Sequence, residues 1–561
     1  MLEKLNRRLS ISHLHLVAQG CNAMNTVNKY WPLVATPALL WASWPDKGFP
    51  LLALVAFVPL LSMFEHLSDV HMKKRRGLRV WFFCYLTFAL FNLFVTSWIW
   101  NAHWSGVLAV CTFNAALMAL VFLMAHKVRV VLGHKRGWIA LVAFWLAFEN
   151  FHQDWEMSWP WLTLGNAFAH YPQWVQWYEY TSVSGGTLWI LIVNILIYNT
   201  LKKYLEKSEP FSKMAFRYIG IVLWVTLPIA FSLFRYNRYV DNPADSTEVV
   251  IVQPNFDAYT EKFDIPQTFQ IQKFISLAET VMDMNTELVI GPETMLPELI
   301  EESAAGYHPD YQMLFAFKEN YPRLNLLLGA STYQSYVDPA KVTPTARKYA
   351  NAEAWFDVYN AAAYFSTDAQ PEFYHKSKLV VGVEHFPFST VLKPLLGRAV
   401  GDFGGTTGTH GIQKERTVFF HSVTGHGTSA IICFESVFPE FVSKFVRNGA
   451  DFLCIITNDD WWGNTAGHRQ HLHYARLRAV ENRRWIARSA NTGISAVINA
   501  RGDILQSIPY KQEGALRAEI PILKEKTFFT SSGDIISRLA WFIGVFLALY
   551  TVAFRLRKKK L

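Results

Sequence analysis

Three short segments carry side chains that together can do covalent chemistry. Residues 288–294 read Leu-Val-Ile-Gly-Pro-Glu-Thr: a strand ends, Gly291-Pro292 turns the chain, and Glu293 is presented at the tip, where active-site loops are commonly built. Residues 429–435 read Ser-Ala-Ile-Ile-Cys-Phe-Glu, placing Cys433 at the end of an apolar strand with Glu435 just beyond it. Between them lies His375-Lys376-Ser377-Lys378, followed by Glu384-His385-Phe386-Pro387. Taken singly, each has a structural reading. A Cys ending an apolar strand is usually a packed thiol, a Glu after Gly-Pro starts a turn or helix, and a Lys among polar neighbours is solvated. Taken together they are a thiol nucleophile, a carboxylate to remove its proton, and an ammonium to stabilise the oxyanion of a tetrahedral intermediate. The carboxylate works best as a base when an apolar pocket raises its pKa.

The elements that must hold these residues read as α/β. Apolar or β-branched runs at 248–253, 287–290, 325–330, 428–433, 451–457 and 494–498 predict buried strands, and 267–284, 437–448 and 469–482 carry helical patterns. Nothing repeats at a solenoid period. The α/β region occupies 245–528.

The flanks are different. The chain has 561 residues, 51% hydrophobic and 17% charged against roughly 25% in an ordinary soluble domain. Its mean hydropathy of +0.12 is the average expected when a very apolar half is joined to a polar one. Apolar stretches at 31–44, 49–64, 80–100, 106–125, 138–150, 178–198, 219–234 and 539–554 predict eight membrane spans, the first weakly and the fifth short. Every second loop is basic: Lys4, Arg7 and Arg8; Lys73, Lys74, Arg75, Arg76 and Arg79; Lys127, Arg129, Lys135 and Arg136; Lys202, Lys203, Lys207, Lys213 and Arg217; and the tail Arg555, Arg557, Lys558, Lys559 and Lys560. Residues 150–173 carry Asp154 and Glu156 but no Lys or Arg. This alternation puts both termini in the cytoplasm and the α/β region outside it. The predicted organisation is a membrane domain at 1–240, the α/β domain at 245–528, and a last span with a basic tail at 535–561.

The net charge of +9 is thereby a topology signal, and nucleic-acid binding loses its support. No cleavable signal peptide is evident; the first span would direct insertion. Five cysteines, Cys21, Cys84, Cys111, Cys433 and Cys454, form neither a disulfide framework nor a zinc pattern. Cys84 and Cys111 read as core or lipid-facing thiols, and Cys454 as core. His468, His471 and His473 alternate faces with no carboxylate or Cys to complete a metal set, so no metal or cofactor is expected. Glu149, at the edge of an apolar span, is either functional or simply faces water.

The order Glu, Lys, Cys in these contexts resembles the carbon–nitrogen hydrolase (nitrilase) superfamily, and the eight-span frame narrows the resemblance to its membrane-anchored apolipoprotein N-acyltransferase family. Val252-Gln253-Pro254-Asn255 resembles the family's first strand, Gly291-Pro292-Glu293 its W-P-E, and Ile432-Cys433-Phe434-Glu435 its I-C-Y-E. Residues 375–387 resemble K-x-x-L-V-P-F-G-E-x-x-P, and 457–463 the N-D-x-W-F-G loop. Arg478-Ala479-Val480-Glu481-Asn482-Arg483-Arg484 and Ala490-Asn491-Thr492-Gly493 also match. So do Trp145, Glu149, the run 159–165, Ser184-Gly185, Asn194 and Gly533-Asp534 in and around the spans.

The resemblance implies an α-helical membrane domain joined to a nitrilase-like α-β-β-α sandwich. The family places its lysine eight residues before a glutamate, which from Glu384 gives Lys376 and leaves Lys378 a bystander. By resemblance Glu293 is the base, Lys376 the stabilising cation, Cys433 the acyl-accepting nucleophile, Glu384 a helper carboxylate, and Glu435 the residue ordering the nucleophile loop. The backbone N–H of Phe434 would be a second oxyanion donor. The implied reaction moves an acyl chain from a phospholipid through a Cys433 thioester to the amino-terminal diacylglyceryl-cysteine of an apolipoprotein. It would occur at a bacterial inner membrane with the catalytic domain periplasmic. A membrane-tethered amidase using the same three residues is the alternative, and a transporter or scaffold a third class, against which no inverted repeat or interrupted helix pair is evident. Phe434 for the usual Tyr, Val381-Gly382-Val383 for P-F-G, Asp460 and Trp462 in the N-D loop, and Phe263 where Trp is expected are departures that bear on substrate contacts.

Overall fold

The computed structural model describes residues 31–68, 76–366, 370–388 and 409–560. Cys21, Lys4, Arg7, Arg8, Lys73, Lys74 and Arg75 lie outside them. Helices α1 (Pro32–Ser43), α2 (Pro50–Ser68), α3 (Arg76–Thr96), α4 (Trp104–Leu132), α5 (His134–Phe151), α6 (Tyr178–Leu205) and α7 (Phe211–Arg238) precede the strands. Helices α8 (Gln267–Glu279), α9 (Pro309–Glu319), α10 (Pro439–Arg447) and α11 (Ala466–Asn482) lie among them, and α12 (Ile535–Lys560) closes the chain. Among the described residues six helices, α2, α3, α4, α6, α7 and α12, are long and apolar enough to cross a membrane. Two expected spans differ. α1 has 12 residues, about 18 Å at 1.5 Å per residue, too short for a hydrocarbon core of about 30 Å. α5 has 18 residues, and its first turn carries His134, Lys135 and Arg136.

Polar side chains inside this half repair its irregular backbone. α2 breaks at Phe57, and Asn194 of α6 fills the gap: Phe57 N donates to its Oδ1 at 2.8 Å, and its Nδ2 donates to the Ala53 carbonyl at 2.8 Å. α6 is itself interrupted at Ser182, whose φ is +56°, with no Pro in the sequence to announce it. Glu149 does not face water. It is 5% exposed and accepts from Trp145 Nε1 (2.9 Å), Leu164 N (2.8 Å) and Thr187 Oγ1 (2.7 Å), pinning the loop 160–168 between α5 and α6.

The outer domain has strands β1 (Asp245–Gln253), β2 (Leu288–Ile290), β3 (Leu296–Glu301), β4 (Asn325–Tyr336), β5 (Arg347–Lys348), β6 (Trp355–Phe365) and β7 (Glu372–His375). These are followed by β8 (Val418–Phe420), β9 (Gly427–Ile432), β10 (Phe452–Thr457), β11 (Ile486–Ala490), β12 (Ser495–Ile498), β13 (Ile504–Ile508) and β14 (Gly514–Ile522). One sheet runs β14-β1-β2-β4-β6-β5, with β3 beside β4 and β7 beside β6; the other runs β13-β12-β11-β10-β9-β8. β1, β2 and β4 are mutually parallel, as are β9, β10 and β11. Their runs are apolar on both faces because both faces are covered. Along β1, Val250 and Val252 share a core with α8 and α9, while Val249 and Ile251 point to the other face, into the core shared with the second sheet. α10 and α11 cover that sheet's far face, which completes the expected helix–sheet–sheet–helix sandwich.

The apolar core between the sheets is continuous with the core of the membrane half. Inside the membrane half, the joint between loop 160–168 and α6 is tight at Gly165, where an added Cβ would collide with the Val183 carbonyl beside the α6 interruption. Gly165→Ala is expected to cost about 1–3 kcal/mol through overpacking. A thermal unfolding midpoint equal to wild type in detergent would contradict this joint.

Candidate active site

Glu293, Lys376 and Cys433 each sit just past the end of a strand. Glu293 follows β2, and the backbone around it crosses β4 at Gly329, where any Cβ would meet the main chain of residues 292–294. Gly329 N donates to the Pro292 carbonyl at 3.1 Å, which holds the crossing. Lys376 follows β7, its N donating to the Asn360 carbonyl on β6 at 2.9 Å. Cys433 follows β9 with φ +50°, a left-handed conformation that costs a non-glycine residue about 1 kcal/mol or more. Glu435 holds that turn: its carboxylate accepts from Ile432 N at 2.8 Å, Ser377 N at 2.6 Å and Tyr374 Oη at 2.8 Å. One buried carboxylate thus ties the lysine segment to the cysteine turn. Burial pushes its pKa up against these donors.

The charges meet in one cluster. Lys376, 1% exposed, donates from Nζ to Glu293 Oε1 and to Glu384 Oε1, both at 2.9 Å. Asn360 Nδ2 donates to the same two oxygens at 2.8 Å each. The far oxygens are held by backbone, Glu293 Oε2 by Asn458 N and Glu384 Oε2 by Val380 N, each at 2.9 Å. Burial alone would push Lys376 down, but Glu293 and Glu384 hold it well above the usual lysine range. For Glu384, burial pushes up and Lys376 and His410 outweigh it, leaving the carboxyl below its ordinary value. Burial, then the charge of Glu293, push the Cys433 thiol up, and Lys376 only partly opposes them. Cys433 therefore rests as a thiol at neutral pH and needs a base to become a nucleophile.

A second set of buried groups grips the backbone of Cys433. Its carbonyl accepts from Ser436 Oγ at 2.8 Å and lies 3.1 Å from His471 Nε2. His471 Nε2 is 2.7 Å from Ser436 Oγ, and its Nδ1 is 2.9 Å from Asp459 Oδ1; Arg488 donates to Asp459 Oδ2. The order resembles a Ser-His-Asp relay, but Ser436 is fully buried and spends its proton on the Cys433 carbonyl. What the set does is hold a strained turn. Burial pushes Asp459 up, yet Arg488 and His471 hold it well below the usual carboxylate range. Asp459, twelve residues earlier, is the carboxylate that His471 uses, while His473 pairs with His170 and His468 stacks on Tyr510.

Sequence reasoning also missed Asn360, hidden in an unrecognised strand, and Lys262. Lys262 is 1% exposed, and its Nζ donates to the Glu293 carbonyl at 2.7 Å. Burial lowers its pKa to about 7 despite Glu293 and Asp460. Lys378 does not enter the cluster; it reaches Asp154 and the Gln153 carbonyl of the membrane half. Phe263 stacks on Trp461, and Cys454 is buried against Thr428. Phe434, next to Cys433, stacks on Trp159 with ring centres 5.9 Å apart, and Trp98, Trp161 and Trp462 pack on one another beside it. The described residues hold no group of three or more His, Cys, Asp or Glu placed for a metal ion.

Residues 249–524 match the carbon-nitrogen hydrolase family, and residues 37–196 match the apolipoprotein N-acyltransferase N-terminal domain. The chain is 30% identical to an apolipoprotein N-acyltransferase of Chlorobaculum tepidum over 516 residues, covering 90% of this chain and 93% of the relative. It is 26% identical to one from Geobacter metallireducens over 531 residues, covering 91% and 92%. Among solved structures, a Saccharomyces cerevisiae member of branch 10 of the nitrilase superfamily aligns at 17% identity with a TM-score of 0.34, over 50% of this chain and 91% of its own.

The charge cluster sets an expectation for the thiol. Lys376→Met removes the cation that opposes the upward push on Cys433, so the pH profile of Cys433 alkylation by iodoacetamide should move to higher pH by about one unit or more. Alkylation would be read at Cys433 by peptide mass spectrometry. A profile that stays in place would mean that Lys376 does not act on the thiol.

Proposed function

Because the chain belongs to the apolipoprotein N-acyltransferase family, we propose that it moves a fatty acyl chain from a phospholipid, through a thioester on Cys433, to the α-amino group of the diacylglyceryl-cysteine of apolipoproteins. It is an acyltransferase of the inner membrane whose substrates are lipids and lipoproteins. In the proposed topology residues 1–240 and 535–561 form the membrane part with both termini cytoplasmic, and residues 245–528 form the periplasmic catalytic domain.

In the first step Glu293 takes the thiol proton and Cys433 Sγ attacks the ester carbonyl. A C–S bond forms, the ester C–O bond breaks, and the proton passes from Glu293 to the leaving lysophospholipid alkoxide. Lys376, with the Phe434 N–H, stabilises the oxyanion between these events. In the second step the acceptor amine attacks the thioester. A C–N bond forms, the C–S bond breaks, and an amine proton returns through Glu293 to the thiolate. Glu384 keeps Lys376 charged and in place, and Glu435 keeps the nucleophile turn closed.

The observation that carries the transferase reading is the stacking of Phe434 on Trp159. It sets the nucleophile turn against the aromatic border of the membrane half, where lipid-anchored donor and acceptor can both arrive. An amidase acting on small soluble amides has no use for that border. Burial of Cys433 and its neighbours also keeps water from the thioester.

Cys433→Ala is expected to abolish formation of triacylated lipoprotein while the protein still inserts into membranes; continued acylation would overturn the mechanism. Wild type exposed to labelled phospholipid should gain one acyl mass on Cys433. An unmodified Cys433 together with ammonia release from small amides would assign the hydrolase instead.

A further inference from the structure

A second polar cavity, of about 250 Å³, lies between the start of α6, the end of α7 and residues 523–528. It borders Arg483, twelve residues along the chain from His471, or about 18 Å along the α11 direction. It is therefore separate from the catalytic cluster. Five cations line it, Arg235, Arg483, Arg484, Lys524 and Lys526. Their charges are only partly met. Arg235 and Arg483 share the single carboxylate of Glu179, through contacts of 2.9 and 2.7 Å. Lys524 is paired with Asp451 at 2.7 Å. Arg484, 2% exposed, donates only to backbone carbonyls, those of Ala450, Asn482, Arg483 and Glu525. Lys526 Nζ donates to the Arg447 carbonyl at 2.9 Å. Burial lowers Arg484 to about 10, so it stays charged at neutral pH. Asp451 and Glu525, the latter also lining the cavity, act on Arg484 only from beyond ion-pair distance; a buried guanidinium with no directly paired carboxylate is costly, and the cavity beside it has room for an anion.

The surroundings say what kind of anion. Tyr180 and Phe528 are exposed at the rim, and Val240 is 81% exposed. Below the rim, α7 turns Leu227, Phe231 and Phe234 outward as an apolar face that no other described helix covers. An anion that satisfies both the cavity and this face is amphiphilic. We propose that the cavity binds the phosphate-bearing headgroup of an anionic phospholipid, with the acyl chains along α7. The phosphodiester takes hydrogen bonds from Arg235 and Lys526 and balances Arg484. At this distance the lipid's esters do not reach Cys433, so it is a resident lipid that seats the outer domain on the bilayer, not the donor. The assignment does not depend on the catalytic reading.

The test uses the full-length protein in detergent, with native mass spectrometry after addition of phosphatidylglycerol, phosphatidylethanolamine or inorganic phosphate. Wild type should retain phosphatidylglycerol at least about tenfold over phosphatidylethanolamine. Arg235→Gln with Lys526→Gln should weaken that retention about twenty-fivefold, about fivefold for each cation. The pair Lys341→Gln and Lys348→Gln, exposed lysines on the outer domain, should leave it unchanged. Three results would each overturn the proposal: equal retention of the two lipids, retention by the Arg235/Lys526 variant equal to wild type, or capture of inorganic phosphate as strong as that of phosphatidylglycerol.

Discussion

Helix α11 is almost wholly buried yet polar on every side, and the rest of the molecule is arranged to satisfy it. A buried polar group left unpaired costs about 1–3 kcal/mol, and a buried charge left unpaired costs more. Each side of the helix therefore demands partners, and they come from different layers. Gln470 Oε1 accepts from Trp161 Nε1 at 2.7 Å, and Tyr474 Oη donates to the Trp161 carbonyl at 2.9 Å, both reaching into the membrane half. Arg478 and Glu481 pair with each other, and Glu481 takes the hydroxyl of Ser182 at the α6 interruption. Beside them on the helix, His471 grips the Cys433 carbonyl. Together these bonds fix Cys433 relative to the membrane half.

The reactive cluster follows from the same rule applied to charge. Two buried carboxylates can be tolerated side by side only with a cation between them, and Lys376 with Asn360 supplies it. The cluster keeps one more negative than positive charge next to Cys433, which favours the thiol over the thiolate until a substrate arrives. The strain at φ +50° is held by Glu435 on one side and by the Ser436–His471–Asp459–Arg488 set on the other. Both supports are buried, so the geometry is built before substrate binds and needs no reorganisation during the reaction.

Much of this was legible in the chain, for identifiable reasons. The parallel strands β1, β2, β9 and β10 are continuous apolar runs, so their ends, and the residues presented there, could be located by eye. β6 could not. Its alternation is broken by Asp357, Asn360 and three successive alanines, and Asn360 was hidden with it. The pattern of residues 469–482 marks α11 as a helix, but spacing within a helix carries no information on what its histidines meet elsewhere in the chain. The partner of His471 comes from the turn after β10, which no local pattern reveals. Glu149 read equally as a water-facing residue because a carboxylate at a span edge has the same sequence signature whether it meets solvent or a neighbouring loop.

The sequence by itself determined that an apolar frame carries an α/β domain, where the strands end, and that a Glu, two Lys and a Cys stand near those ends. These are properties of residue type and local period, and both are written along the chain. Tertiary structure alone decided that Lys376 enters the cluster while Lys378 turns to Asp154, that Glu149 is buried, and that α11 joins the two halves. Each of those outcomes is set by burial and by partners distant in sequence. The cost of leaving a buried charge unpaired exists only once the fold has excluded water.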